Sequence, residues 1–436
     1  MTPAPMRLDP QAAALNETLG KNNPALLEML SSRGKAIYFP KLGILSQSAE
    51  AKGKDINATI GIATEDDGGP LFLDCIGKNI QLPPDKAFTY APSPGLPEIR
   101  KLWKEQQLRK NPGHAGTTYS SPVVTSALTH GLSMAAYLFA EAGDTVILPD
   151  LYWENYDLVF SITYGARLDP FETFTPAGAF NVEGLRQKLS QGRGKKIVLL
   201  NFPNNPSGYT PLEPEAAAIA QVLREAAEAG DKVVVILDDA YFGLVFEKGV
   251  STQSLFVPLC DAHPNLMAVK LDGPTKEDYV WGFRVGFMAF GIKGGSAEAY
   301  AALEAKAAGA VRGTISNSSI LGQSLLVQAW ASESYEREKQ AKHATLKQRY
   351  EKIKAILAVH PEYREVFDPV PFNSGYFMCI RLKKGNAEAV RQKLLKEYST
   401  GVIAFGPLVR LAFSSTPTAR LEALFDNVYR AAKSCG

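Results

Sequence analysis

The sequence predicts an α/β protein: a large domain whose central mixed sheet is mostly parallel and flanked by helices, with a smaller α/β domain beside it. Three observations carry this. From Pro122 onward, short apolar runs at residues 123–126, 145–148, 196–200 and 232–237 alternate with helical stretches, the pattern of buried strands covered by helices. Each run ends in a loop rich in Thr, Asn, Pro or Asp, so polar side chains collect at the carboxyl ends of the strands. After a long charged helix at residues 323–358, broken near Ala331, the tail has its own alternation: strands at 376–381 and 409–413, helices at 387–396 and 417–432. The expected division is 71–325 for the large domain, with 1–70 and 326–436 forming the small one.

The remaining elements follow in order. Residues 8–35 read as helices broken at Asn22-Asn23-Pro24, and 56–61 as an extended entry segment ending at Gly61. Tyr90 to Arg100 is a loop punctuated by Pro and Gly that opens a helix at Leu96 or Pro97. A helix over 129–142, with Leu132, Ala135, Ala136 and Phe139 on one face, stops at Gly143. The loop feeding it, Ala127-Leu128-Thr129, presents free N–H groups at a helix N-terminus and suits a phosphate, although Thr129 is equally explained as a cap. Tyr152, Trp153 and Tyr156 follow the next strand and either pack or stack on a planar ring. Asn201 to Gly208 is a tight loop, and residues 214–229 form a helix.

Asp238 closes the most continuous apolar strand. A carboxylate there needs a cationic partner unless it is solvated or caps the next turn. Lys276 lies between apolar runs at 266–269 and 285–290, after a proline turn and before two aromatics. It is either a solvated surface charge or a desolvated amine able to form a Schiff base, with Arg284 eight residues on to clamp a phosphate.

Composition narrows the partners. The 436 residues are 45% hydrophobic and 21% charged, and 47 Lys plus Arg nearly balance 45 Asp plus Glu, so neither nucleic acid nor a membrane surface is indicated and a small molecule is. Cys75, Cys260, Cys379 and Cys435 have no C-x-x-C spacing, so no metal site or disulfide framework is expected and a reducing compartment fits. No stretch of about 18 apolar residues occurs and the N-terminus lacks an apolar export core, so a cytoplasmic location is expected.

Read together, Tyr90…Gly95, Thr129, Trp153, Asn205-Pro206-x-Gly208, Asp238-x-x-Tyr241, Lys276, Arg284 and Arg410 stand in an order that resembles the class I and II aminotransferases, fold-type I pyridoxal-phosphate enzymes, from about Ile56 to the C-terminus. The resemblance implies that Lys276 holds pyridoxal 5′-phosphate through a Schiff base and moves the substrate α-proton, and that Asp238 pairs with the ring nitrogen. It implies that Asn205 and Tyr241 bond the ring 3′ oxygen, that Trp153 stacks on the ring, and that Ala127, Leu128, Thr129 and Arg284 take the phosphate. Arg410, with Gly61 and Asn205 beside it, would take the substrate α-carboxylate. Tyr90 and Ser316 would reach the neighbouring subunit's phosphate site, implying a homodimer with shared active sites.

Three departures qualify the match. Gly273 stands where many members place a phosphate-binding serine, which shifts that contact to Thr275; Leu151 replaces a frequent proline; and Leu128 is bulkier than usual. Arg312 falls where members acting on dicarboxylates place an arginine from the neighbouring subunit, which makes 2-oxoglutarate with an aspartate or aromatic donor the expected substrates. The same scaffold also supports β-lyases and decarboxylases. A non-catalytic effector-binding protein is disfavoured by the short, non-basic stretch before Ile56, and a nicotinamide enzyme by the lack of an early G-x-G-x-x-G.

Overall fold

The computed structural model describes residues 8–40 and 43–436. Its main sheet has seven strands: β1 (Val123–Thr125), β2 (Thr145–Pro149), β3 (Arg167–Phe171), β4 (Lys195–Asn201), β5 (Lys232–Asp238), β6 (Leu266–Asp272) and β7 (Gly286–Ile292). They lie in the order β1-β7-β6-β5-β4-β2-β3. Only β7 runs antiparallel to its neighbours β1 and β6, so the sheet is mixed but mostly parallel. Residues alternate between two covered faces, as the period of two requires. Ile197, Leu199, Val234 and Ile236 join the core beneath the helix Ala127–Phe139, whereas Val198, Leu200, Val233, Val235 and Leu237 join the core beneath the helix Glu213–Glu228. This double burial is why β4 and β5 read as unbroken apolar runs. The register Asn201↔Asp238 then sets these two polar side chains next to each other at the strands' carboxyl ends.

A second sheet, wholly antiparallel, contains β8 (Phe367–Pro369), β9 (Phe377–Leu382), β10 (Ile403–Phe405) and β11 (Leu408–Ala412) in the order β10-β11-β9-β8. Val390 and Leu394 of the helix Ala387–Glu397 and Leu424 and Val428 of the helix Leu421–Cys435 pack into the same core as Phe377, Ile380 and Val409. That core continues into Trp103, Tyr241 and Phe287, so the two sheets meet through apolar side chains and not through a linker. A two-residue parallel ladder, Ile56–Asn57 with Thr400–Gly401, ties the early chain to the late one.

The chain departs from the pattern-based reading at edges. The strands β3 and β8 carry polar residues or proline (Arg167, Asp169 and Pro170 in β3, Asp368 and Pro369 in β8), and the apolar β10 is only three residues long, so none gives a legible run; β3, β8 and β10 each end their sheet. The alanine-rich helix Ala297–Thr314 runs through the glycines at 309 and 313, because Ala307, Ala310 and Val311 are buried and outweigh them. The long helix does break where expected, into Ile320–Trp330 and Tyr335–Val359. Among the described residues, no helix is long and apolar enough to cross a membrane.

Candidate active site

A cavity of about 320 Å³ opens at the carboxyl ends of β4, β5 and β6, and Gly61, Ala127, Leu128, Thr129, Trp153, Asn205, Asp238, Tyr241, Thr275, Lys276, Arg284 and Arg410 all line it. Lys276 arrives there because β6 ends at Asp272 and Pro274 starts a single helical turn, Pro274–Glu277. Its amine stands 5.1 Å from the centre of the Tyr241 ring. Desolvation lowers its pKa to about 8; the Asp238 carboxylate opposes that shift and the Arg284 guanidinium adds to it. The lysine is thus partly a free amine near neutral pH.

Asp238 is 3% exposed. Burial raises its pKa, while a hydrogen bond from the Tyr156 hydroxyl at 2.6 Å and the charge of Lys276 favour the carboxylate. Tyr156 is itself 1% exposed and wedged edge-on against Trp153, with ring centroids 5.8 Å apart. Asn201 donates to the Asp238 carbonyl at 2.6 Å and accepts from the Asn205 N–H at 2.8 Å, which turns the loop after β4, with its cis Phe202-Pro203 and Asn205-Pro206 bonds, back over the cavity.

The opposite wall is cationic. Arg410 on β11 is 3% exposed, yet among the described residues its side chain donates only to Asn205 Oδ1 at 3.2 Å and the Thr59 carbonyl at 3.3 Å, and its Nε has no partner there. Its guanidinium lies 4.2 Å over the Phe377 ring, and burial lowers its pKa. With no carboxylate at ion-pair distance among the described residues, this buried guanidinium can pair with an anionic ligand. Arg284 makes no hydrogen bond or ion pair with any described residue, and its backbone is left-handed, with φ 54°. Ala127, in the same cavity wall, is also left-handed at φ 59° and begins the helix Ala127–Phe139, so the first turn of that helix, Ala127 to Thr129, lines the cavity.

Gly286 makes this cup possible. A Cβ there would fall 2.8 Å from the Ala127 carbonyl carbon and 3.0 Å from its Cα and O. Gly286→Ala is therefore expected to push the 127–129 loop away and to cost about 1–3 kcal/mol of stability, measured by denaturant unfolding; an unchanged midpoint would contradict the close packing. A similar constraint accounts for Gly273. A Cβ there would meet the Val285 carbonyl oxygen at 3.0 Å and the Gly286 Cα at 3.1 Å, so the facing backbone where β7 begins leaves little room for a side chain at 273. The Thr275 hydroxyl lines the cavity but donates only a long bond, 3.4 Å, to the Val285 carbonyl.

Tyr90, Ser316 and Arg312 lie outside this cavity. Tyr90 is 90% exposed; Ser93 donates to the Ser316 carbonyl at 2.8 Å, and Arg312 donates to the Ser316 hydroxyl at 2.8 Å, so the three share one patch of surface. Sequence reasoning missed the positions of Tyr156 and Asn201, which hold Asp238 and Asn205, and of Thr59, Trp281 and Phe377, which complete the lining. Asn201 had a signal, being the last residue of a buried strand beside the one ending in Asp238; Tyr156 had none beyond its aromatic neighbours. A larger outer chamber of about 740 Å³ adjoins through Ile44, Leu45 and Trp153.

Comparison with known proteins agrees with this geometry. The chain is similar to a probable aspartate/prephenate aminotransferase of Aquifex aeolicus (27% identity over 265 residues, 57% of this chain and 60% of that one). It is also similar to the mitochondrial aspartate aminotransferase of Dictyostelium discoideum (24% over 233 residues, 50% and 52%). These matches thus span only about half to two thirds of the relatives' length. Among solved structures, an aminotransferase from Anaerococcus prevotii superposes with a TM-score of 0.82 at 23% identity, over 93% of this chain and 99% of that one. The Thermus thermophilus aspartate aminotransferase with maleate gives 0.72 at 19%, over 92% and 99%; both share the fold. A family model, aminotransferase class I and II, matches residues 56–428, and the chain belongs to that family.

Proposed function

We propose that the protein is a pyridoxal-phosphate-dependent aminotransferase, moving an amino group from an L-amino acid to a 2-oxo acid in two half-reactions. The observation that carries this reading is the meeting, in one cavity, of a lysine with a lowered pKa, a buried carboxylate whose charge acts on it, and a buried arginine that has no carboxylate partner among the described residues. The residues fit the cofactor. Arg284, unpartnered among the described residues, and the N–H groups at Ala127–Thr129 would take its phosphate. Asp238 would hold the ring nitrogen, Asn205 and Tyr241 the 3′ oxygen, Trp153 one ring face, and Thr275 would supply a weaker phosphate contact.

When bound, the cofactor supplies a carbonyl for Schiff-base chemistry and an electron sink for the substrate α-carbon. Arg410 binds the substrate α-carboxylate, with Asn205 orienting the guanidinium and Gly61 leaving room for close approach. Lys276 removes the α-proton and returns it on the other side of the transfer, and its pKa of about 8 suits both directions. Residues 71–325 would form the cofactor domain, and 1–70 with 326–436 the small domain.

The test is the visible absorption of the purified protein. Borohydride should fix the chromophore to the Lys276 peptide, and an effective amino donor should discharge the band until a 2-oxo acid restores it. A band indifferent to borohydride would remove the reading. A β-lyase or decarboxylase on the same scaffold would turn over its substrate with no 2-oxo acid present.

For substrates, the names of the relatives point to aspartate, with 2-oxoglutarate as acceptor and an aromatic amino acid as the second donor to try. Tyr90, Ser316 and Arg312 would act in a homodimer's neighbouring site. Their shared surface, with Phe88 86% exposed and Leu321 49% exposed close in sequence, supports an apolar contact face. Arg312→Ala is expected to lower kcat/KM for aspartate by about 10²-fold while leaving an aromatic donor within about threefold. Equal losses for both donors would overturn the distal-carboxylate role.

A further inference from the structure

Behind the cavity lies a set of buried charges that the reading above does not use. Lys270 is 1% exposed; its ammonium bonds the Asp239 carboxylate and stands 3.5 Å from Asp272 Oδ2. Asp239 also accepts from the Ser254 hydroxyl at 2.6 Å. Asp272 accepts from Trp103 Nε1 at 2.9 Å and from the Gln107 amide. Stability alone is a poor explanation for such a group, because desolvating three charges is costly and apolar replacements of similar volume are often no worse.

Its place in the sheet is more informative. Lys270 pairs in register with Leu237, and Asp238 with Leu271, so alternation puts Lys270, Asp272 and Asp239 on the face away from Asp238. Asp239 directly follows Asp238. Asp272 begins the turn that carries Lys276 four residues later. The lysine therefore ties together the two strand ends that present the carboxylate and the amine to the cavity.

We propose that Lys270 is a positioning residue for amino transfer: by bridging Asp239 and Asp272 it fixes how Asp238 faces Lys276, and its charge offsets the carboxylate immediately behind Asp238. This rests on the roles given above to Asp238 and Lys276.

The test uses the full chain stripped of cofactor. The pH dependence of Lys276 arylation by fluorodinitrobenzene is followed by peptide mass mapping in the wild type, Lys270→Met, Asp239→Asn and the double variant. Removing the cation should raise the half-point of labelling and removing the anion should lower it, each by about half a pH unit or more, with the double variant close to wild type. Retention of pyridoxal phosphate in equilibrium dialysis should fall about fivefold or more in Lys270→Met and recover in the double variant.

A lysine with only a structural role would lower the melting temperature without shifts of opposite sign. Shifts that are absent, or that share one sign in the two single variants, overturn the proposal. If Lys270→Met does not fold, Asp239→Asn decides alone, since asparagine still accepts from Ser254 and an unchanged half-point is then fatal. A protein that binds no pyridoxal phosphate would defeat the functional reading, yet the labelling would still decide whether Lys270 governs the amine.

Discussion

Lys276→Ala is expected to lower single-turnover amino transfer by about 10³-fold or more, since it removes both the covalent anchor and the proton carrier. The borohydride-stable adduct should vanish with it. The loss should be chemical and not a failure to fold. The Lys276 carbonyl accepts from the Tyr376 hydroxyl at 2.7 Å, a bond that alanine keeps, and the side chain itself makes no ion pair at contact distance with any described residue. The sign of the pKa shift points the same way. A lysine whose folded pKa is about 8, below its unfolded value, penalises the folded state increasingly as pH falls through that interval, and the penalty is complete below it. At pH 7 the alanine variant should therefore melt no lower than wild type, and the difference between the two should shrink above pH 10. Stopped-flow absorbance with the best donor measures the first effect and calorimetry the second. A variant retaining more than about a tenth of the wild-type rate would remove Lys276 from the chemistry.

The legible part of this fold is the part where chemistry and burial coincide. β4 and β5 are covered on both faces, so their central residues, 197–200 and 233–237, are uninterrupted apolar runs, and each meets the cavity at a polar residue that stands out against that run: Asn201 and Asp238. The edge strands β3 and β8 are interrupted by polar residues and proline, and β10 is only three residues long, so they carry no such contrast. Within the site, the same logic explains what was missed. Asp238 is conspicuous because it ends a buried strand, but Tyr156, which bonds it, sits 82 residues earlier in the chain and reaches it only through the tertiary fold. Thr59 offers Arg410 a backbone carbonyl, a role that no side-chain pattern encodes. The reason for Gly273 was likewise invisible, since the crowding comes from the backbone of Val285 and Gly286, more than ten residues further along the chain. The buried Lys270 reads in sequence as an ordinary polar residue at a strand end; only the register with Leu237 reveals which face it occupies.

Asp238→Asn is expected to separate anchoring from turnover. Asparagine preserves the shape of the side chain: its one oxygen can still accept from the Ala240 N–H, 3.3 Å from Oδ1 in the wild type, while its amide NH2 takes the place of Oδ2 and donates to the Tyr156 hydroxyl, 2.6 Å away. What it removes is a negative charge in a site that is 3% exposed, where little water remains to screen the loss. Without that charge a cationic ring nitrogen loses its counter-ion, and a buried cation left unpaired is strongly disfavoured. The substitution should therefore cost about 10²- to 10³-fold in kcat/KM. Lys276 should still be fixed to the chromophore by borohydride, in contrast to Lys276→Ala. Tyr156→Phe should show a smaller version of the same defect, about tenfold, because it withdraws one hydrogen bond to the carboxylate but not the charge. If Asp238→Asn turned over at the wild-type rate while retaining its chromophore, the carboxylate would be a strand cap and not a partner of the ring. The raised pKa that burial imposes on Asp238 would then be a cost of the fold with no catalytic return.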